Sequence, residues 1–219
     1  KNPFDAGFHV MTTTTHKTLR GPRGAMILSK GSVGNPLKAC EKTVENLPTL
    51  IDRSIFPGLQ GGPHMHQTAA IAVALGEAQR PDFKSYGQQI LDNAQAMAQA
   101  FMDKNCKLVT NGTDNHLMIL DCMESFGIDG KVVEALFDRV GITTSKSTVP
   151  DDQNPPFKPS GVRIGTPAIT TRGMKEAEME KLVEYMLKSI EVKDDESALN
   201  SLHEEVKEFC LQYPVPGLQ

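Results

Sequence analysis

The sequence predicts an α/β protein in two parts, 1–82 and 83–219. Three observations carry that reading. Short β-branched and apolar runs bounded by glycine and proline alternate with long helical patterns. The texture changes after the second long helix, the one that follows Pro81, and the boundary falls inside that helix near 81–85. The chain closes on two amphipathic helices whose apolar residues recur every three or four positions.

The elements follow in order. Phe8-His9-Val10-Met11-Thr12-Thr13-Thr14-Thr15 reads as the first strand. It stops at His16-Lys17-Thr18-Leu19-Arg20-Gly21-Pro22-Arg23-Gly24, whose glycines and proline mark a turn, and Ala25-Met26-Ile27-Leu28 reads as a second, fully buried strand. Residues 31–54 read as a short helix over 37–44 and then loop. Phe56-Pro57-Gly58-Leu59-Gln60-Gly61-Gly62-Pro63 is a loop leading into a helix over 64–80, and Pro63 suits a first turn whose N–H groups need no intrahelical partner. Ala69, Ala70, Ala72, Val73 and Ala74 make this helix apolar on most sides, which predicts burial.

The helix after Pro81 carries Ile90, Ala94, Met97 and Phe101 on one stripe, with Leu91, Ala98 and Met102 beside it. Leu108-Val109-Thr110 and Leu117-Met118-Ile119-Leu120 read as strands separated by a turn at Asn111-Gly112. A helix over 131–140, a strand over 142–147, a Pro-rich loop over 150–159 and a short strand at Val162-Arg163-Ile164 come next. Met179, Leu182, Val183, Met186, Leu187 and Ile190 define one closing helix; Leu199, Leu202, Val206, Phe209 and Cys210 define the other.

Composition narrows the function. A net charge of −4 argues against nucleic acid as the main partner. No run approaches 18 apolar residues, so no membrane-spanning helix is predicted, and the first residues do not resemble a signal peptide. Cys40, Cys106, Cys122 and Cys210 form no C-x-x-C pair and no metal spacing. They read as reduced thiols of a cytoplasmic protein without a metal site. Charge is uneven: residues 1–50 hold seven Lys/Arg against three Asp/Glu, so an anionic ligand is sought there. Residues 173–219 hold five against eleven, the solvated faces of two helices.

The residues with most chemical promise surround Lys17. A lysine leaving a buried strand near other cations has its ammonium form disfavoured, which prepares the amine for Schiff-base chemistry. The competing reading is a solvated surface lysine. A Walker-type phosphate loop is excluded, because no G-x-x-x-x-G-K-[ST] occurs. Arg163, between Val162 and Ile164 on a strand, needs an anion or several acceptors; a substrate carboxylate and an internal carboxylate both satisfy it. Gly61-Gly62-Pro63 at a helix start reads either as a phosphate cradle or as a turn.

The segment from Thr12 to Gly24 closely resembles the cofactor-lysine segment of serine hydroxymethyltransferases. The resemblance continues through 56–63 with His66, through Thr113-Asp114-Asn115-His116-Leu117, and through Ser160-Gly161-Val162-Arg163-Ile164-Gly165-Thr166-Pro167-Ala168, in family order across essentially the whole chain. It implies a fold-type-I pyridoxal-phosphate transferase, aspartate aminotransferase-like. Residues 1–82 would end the large mixed-sheet cofactor domain, and 83–219 would form the small C-terminal domain. It implies that Lys17 holds pyridoxal 5′-phosphate as an internal aldimine, with Thr14 and His16 lining the cofactor site and Gly61 and Gly62 against the phosphate of the neighbouring subunit. It implies Arg163 on the substrate carboxylate and Pro155, Pro156 and Phe157 against the folate.

The implied reaction is reversible transfer of a one-carbon unit from L-serine to tetrahydrofolate, giving glycine and 5,10-methylenetetrahydrofolate, in a homodimer or a tetramer. Two departures are visible. Ser147 stands where many members carry asparagine, and 31–54 looks longer than in common bacterial members. The family's upstream aspartate, stacking histidine and catalytic glutamate have no counterpart in this sequence, so the resemblance implies a C-terminal half with little activity by itself. The rival readings are another fold-type-I pyridoxal enzyme, threonine aldolase-like or an aminotransferase, and a non-catalytic folded module.

Overall fold

The computed structural model describes residues 2–32 and 46–218, which divide into two compact units, Lys1–Phe83 and Lys84–Gln219.

In the first unit, strand β1 (Val10–Thr14) pairs antiparallel with β2 (Ala25–Ser29), Val10 opposite Ser29 and Thr14 opposite Ala25. The β-branched run forms β1 because Val and Thr side chains fit a pleated surface. Residues 15–24 fold back on Thr15, which is only 1% exposed. Its N–H donates to the Gly24 carbonyl (3.0 Å), its Oγ1 to the Pro22 carbonyl (2.7 Å), and its own carbonyl accepts from Gly21 N–H (2.8 Å). Helices α1 (Leu47–Ile55) and α2 (Met65–Ala78) complete this unit, with the first turn of α3 (Pro81–Asp103).

Helix α2 meets the loop through Ala74 and Ile71, one turn apart. A Cβ on Gly21 would lie 2.9 Å from the Ala74 Cβ and 2.8 Å from the Thr15 carbonyl oxygen; one on Gly24 would lie 3.1 Å from Ile71 Cδ1. Glycine at both positions is what lets helix and loop close to backbone distance.

Several expectations for this unit are corrected. The second strand is not buried: Ile27 is 44% and Leu28 36% exposed, because a two-stranded ribbon has one neighbour and no covering layer among the described residues. Helix α2 is likewise open, with Ala74 its one buried residue and Val73 63% exposed. It starts at Met65 with His64 as its cap, so Pro63 precedes the helix instead of sitting in its first turn. The helix expected over 37–44 lies outside the described residues. Residues 47–55, expected as loop, are α1, in which Leu47, Leu50, Ile51 and Ile55 recur at helical spacing and Pro48 sits in the first turn.

The second unit is built on a three-stranded antiparallel sheet in the order β3 (Leu117–Asp121), β5 (Gly161–Gly165), β4 (Ser145–Ser147). Met118 and Leu120 of β3 and Val162 and Ile164 of β5 face a core completed by Met97 and Phe101 of α3. Helix α5 (Gly130–Arg139) adds Val133 and Phe137, and α7 (Glu176–Glu191) adds Met179 and Val183. A smaller cluster joins Val140 and Tyr185 to Leu199, Leu202 and Val206 of α8 (Glu196–Leu211). Two five-residue helices, α4 (Cys122–Phe126) and α6 (Pro167–Thr171), follow β3 and β5 directly. Where α5 starts, a Cβ on Gly130 would lie 2.1 Å from the Gly161 carbonyl oxygen, so helix and central strand touch through bare backbone.

Here too the sequence reading needs amendment. Leu108 makes a single bridge to Leu120, and Val109–Asn111 turns in a 3-10 helix with Thr110 at φ +66°, so no strand runs over 108–110. Of 142–147 only Ser145–Ser147 pairs, because the Ile142 N–H is taken by the Phe137 carbonyl at the end of α5 (2.8 Å).

Candidate active site

Lys17 lies on the loop closed by Thr15. It is exposed, and its amine makes no hydrogen bond or ion pair among the described residues. The expected interior position is therefore not observed, since the half-open β1–β2 ribbon delivers the lysine into solvent. Its carbonyl accepts from Arg20 N–H (2.8 Å), and Arg20, at φ +56°, lies over the Phe83 ring at 5.8 Å. Next to the lysine, His16 has a buried Nδ1 with no hydrogen-bond partner among the described residues. Thr14 ends β1, half-buried.

Gly61 and Gly62 are exposed, and no atom lies within 4 Å of a Cβ built on either; Gly62 has φ +58°. Because α2 starts at Met65, these glycines belong to the preceding loop and their N–H groups are not the helix's own terminal donors. A cavity of about 340 Å³ opens beside Gly61, lined by Ile55, Phe56, Gln60 and Pro63. A free amine beside an orphaned imidazole nitrogen fits a small aldehyde with a polar ring, and glycines with open space around them fit a phosphate. Those features accept a Schiff-base partner, a ring-side hydrogen bond and a phosphate.

In the second unit Arg163 occupies the middle of β5, opposite Ile119 and Ser145. The two-residue period turns Val162 and Ile164 to the core and Arg163 to the other face, where it is exposed. Its guanidinium has no carboxylate partner among the described residues, so neither burial nor an internal ion pair accounts for it. Ser147 ends β4 at the same sheet. Thr113 and Asn115 tie the loop before β3: Thr113 Oγ1 donates to the Leu117 carbonyl (2.6 Å), and Asn115 Oδ1 accepts from Leu117 N–H (2.9 Å).

Pro155, Pro156 and Phe157 are exposed, Phe157 by 75%. The Lys158 N–H donates to the Pro155 carbonyl (2.8 Å), making a turn that displays the phenyl ring. Sequence reasoning missed the group that holds this loop. Asp152 Oδ2 accepts from the N–H of Ser160 (2.9 Å) and of Val149 (3.3 Å), and its Oδ1 accepts from Ser160 Oγ (2.7 Å) and Asn154 N–H (3.0 Å). Ser160 Oγ and then Ser160 N–H are the main reasons the Asp152 carboxyl is pulled down to about 2. The legible signal was Asp-x-Asn before a Pro-rich stretch, a pattern of side chains that bond their own backbone two residues on.

Among the described residues no cluster of His, Cys, Asp and Glu could hold a metal ion, and no helix is long and apolar enough to cross a membrane.

The serine hydroxymethyltransferase family model matches residues 1–186. Serine hydroxymethyltransferase of Acidobacterium capsulatum is 46% identical over 209 residues, which are 95% of this chain and 45% of that protein. That of Lacticaseibacillus casei is 46% identical over 207 residues, 94% of this chain and 47% of the relative. The Sorangium cellulosum enzyme is 47% identical over 210 residues, 96% and 46% respectively. The chain itself is mixed α/β. It belongs to the serine hydroxymethyltransferase family. The chain spans about half the length of the curated relatives it matches.

Proposed function

We propose that the protein carrying this chain moves a one-carbon unit reversibly between L-serine and tetrahydrofolate, yielding glycine and 5,10-methylenetetrahydrofolate, with pyridoxal 5′-phosphate on Lys17. The observation that carries the reading is a lysine amine and a His16 Nδ1, both unpartnered among the described residues, on one internally bonded loop in a member of this family. When bound, the cofactor supplies an electron sink for the substrate's α-carbon. Lys17 provides the amine that holds it. His16 and Thr14 offer polar atoms to its ring and substituents, and Gly61 and Gly62 let backbone approach its phosphate. Arg163 orients the amino acid by forking onto the carboxylate, a geometry that lysine's point charge does not reproduce. Pro155, Pro156 and Phe157 provide an apolar edge for the folate. The proposal includes a cytoplasmic homodimer in which Gly61 and Gly62 serve the neighbouring subunit's phosphate.

The full chain is to be titrated with pyridoxal phosphate, reduced with borohydride and mapped by peptide mass. The expected result is a visible absorbance band and an adduct on Lys17, both lost in Lys17→Ala. An adduct on another side chain, or none, overturns the assignment of Lys17. Dependence of serine cleavage on tetrahydrofolate separates hydroxymethyl transfer from the aldolase and aminotransferase alternatives. Arg163→Lys is expected to raise the KM for serine by about tenfold or more, through loss of the two-pronged contact.

A further inference from the structure

The loop over 149–160 has a base and a tip of opposite character. At the base, one carboxylate gathers four donors: Val149, Asn154 and Ser160 through their N–H groups and Ser160 again through its hydroxyl. Asn154 Nδ2 adds a bond to Ser160 Oγ (3.0 Å), so the two ends of the excursion are joined through side chains as well. At Pro159 and Ser160 the chain is fastened to its surroundings. The Ser160 carbonyl accepts from Cys122 N–H (2.9 Å), and the Pro159 carbonyl accepts from Gly130 N–H (2.7 Å). At the tip, Pro155 and Pro156 have φ locked by their rings, and Phe157 projects into solvent. Two consecutive prolines carry little rotational slack, so the direction set at the base is passed to the phenyl ring. Among the described residues the Lys158 turn is the one hydrogen bond within the tip, which leaves the base as the source of its order.

We propose that Asp152 is a positioning residue for folate: its carboxylate closes the base of the loop so that Pro155, Pro156 and Phe157 meet the flat ring system of tetrahydrofolate as a preformed apolar edge. This rests on the function proposed above. An exposed aromatic on a loose loop loses conformational freedom when a ligand arrives, and that loss weakens binding; a loop already closed by Asp152 has little left to lose. Serine does not use this edge, so the carboxylate affects one substrate and spares the other.

The test compares the intact enzyme with Asp152→Asn, which keeps the shape but turns an acceptor into an NH2 group facing backbone donors, and with the milder Ser160→Ala. Tetrahydrofolate affinity, the KM for serine and amide hydrogen exchange over 149–160 are measured together. The expected result is folate binding weakened about tenfold in Asp152→Asn and less in Ser160→Ala, serine KM within twofold of wild type, and faster exchange confined to the loop. Unchanged folate affinity overturns the proposal. So does a parallel loss of serine and folate binding, which marks Asp152 as a general support of the fold. If the unsubstituted enzyme itself binds no folate, the functional reading fails first and this proposal with it; hydrogen exchange then still reports whether Asp152 closes the loop.

Discussion

At the scale of single residues, environment separates groups of the same type. Burial pushes the Cys122 thiol up to about 12, with Asp121 nearby adding to the effect, and burial raises Cys106 as well. Neither supplies thiolate at neutral pH, whereas Cys210 is half-exposed. Iodoacetamide at pH 7.5 is therefore expected to label Cys210 well before Cys106 or Cys122, as peptide mapping would show. Asp152 shifts the other way. Its folded value of about 2 lies below the ordinary carboxylate value of about 4, so its stabilising bonds are fully present above pH 4 and are lost as pH falls through 2. Amides of 149–160, corrected for intrinsic exchange, should lose protection between about pH 4 and 2, and Asp152→Asn should remove that step. Residue identity alone singled out Lys17 and Arg163 as candidates, but not their surroundings. The expectation that Arg163 needs an anion or several acceptors overlooked that Val-Arg-Ile on a strand sends its middle member to the opposite face from its neighbours.

Elements were legible where periodicity was long and illegible where a local bond decided the matter. The stripe Ile90, Ala94, Met97, Phe101 is buried throughout, as its helical spacing implied. Leu108-Val109-Thr110 has strand-forming side chains, yet a left-handed Thr110 and the Leu108-to-Asn111 hydrogen bond (3.0 Å) curl it into a turn. Pro48 marked the start of α1 in the sequence, but the proline was read as a loop residue. Contact between α5 and β5 was invisible because glycines contribute no pattern of their own. Gly130→Ala should cost about 3 kcal/mol or more by denaturant unfolding, since its methyl would fall on the Gly161 carbonyl and both are main-chain-bound elements. An exposed substitution such as Lys207→Ala should leave the unfolding midpoint essentially unchanged in the same assay.

Over the whole molecule the two units differ in kind. Lys84–Gln219 has a continuous core joining sheet and helices. Lys1–Phe83 leaves Phe8, Ile27, Phe56, Leu59, Met65 and Val73 exposed. Amide exchange should accordingly be slowest in β3, β5 and the buried turns of α3 and fast in β1 and β2; equal protection in both units would contradict this contrast. Nothing in the amino-acid pattern of Ala25-Met26-Ile27-Leu28 distinguished an inner strand from a bare one, because hydrophobicity records what a segment can bury and not what the chain provides to bury it. The glycine contacts of Gly21 and Gly24 with α2 carry a consequence of their own for variation in this protein. A survey of all single substitutions, scored for the absorbance band proposed for Lys17, should find Gly21 among the intolerant positions, although it offers no functional group, since an added methyl there meets the Thr15 carbonyl and the Ala74 Cβ and tilts the lysine's perch.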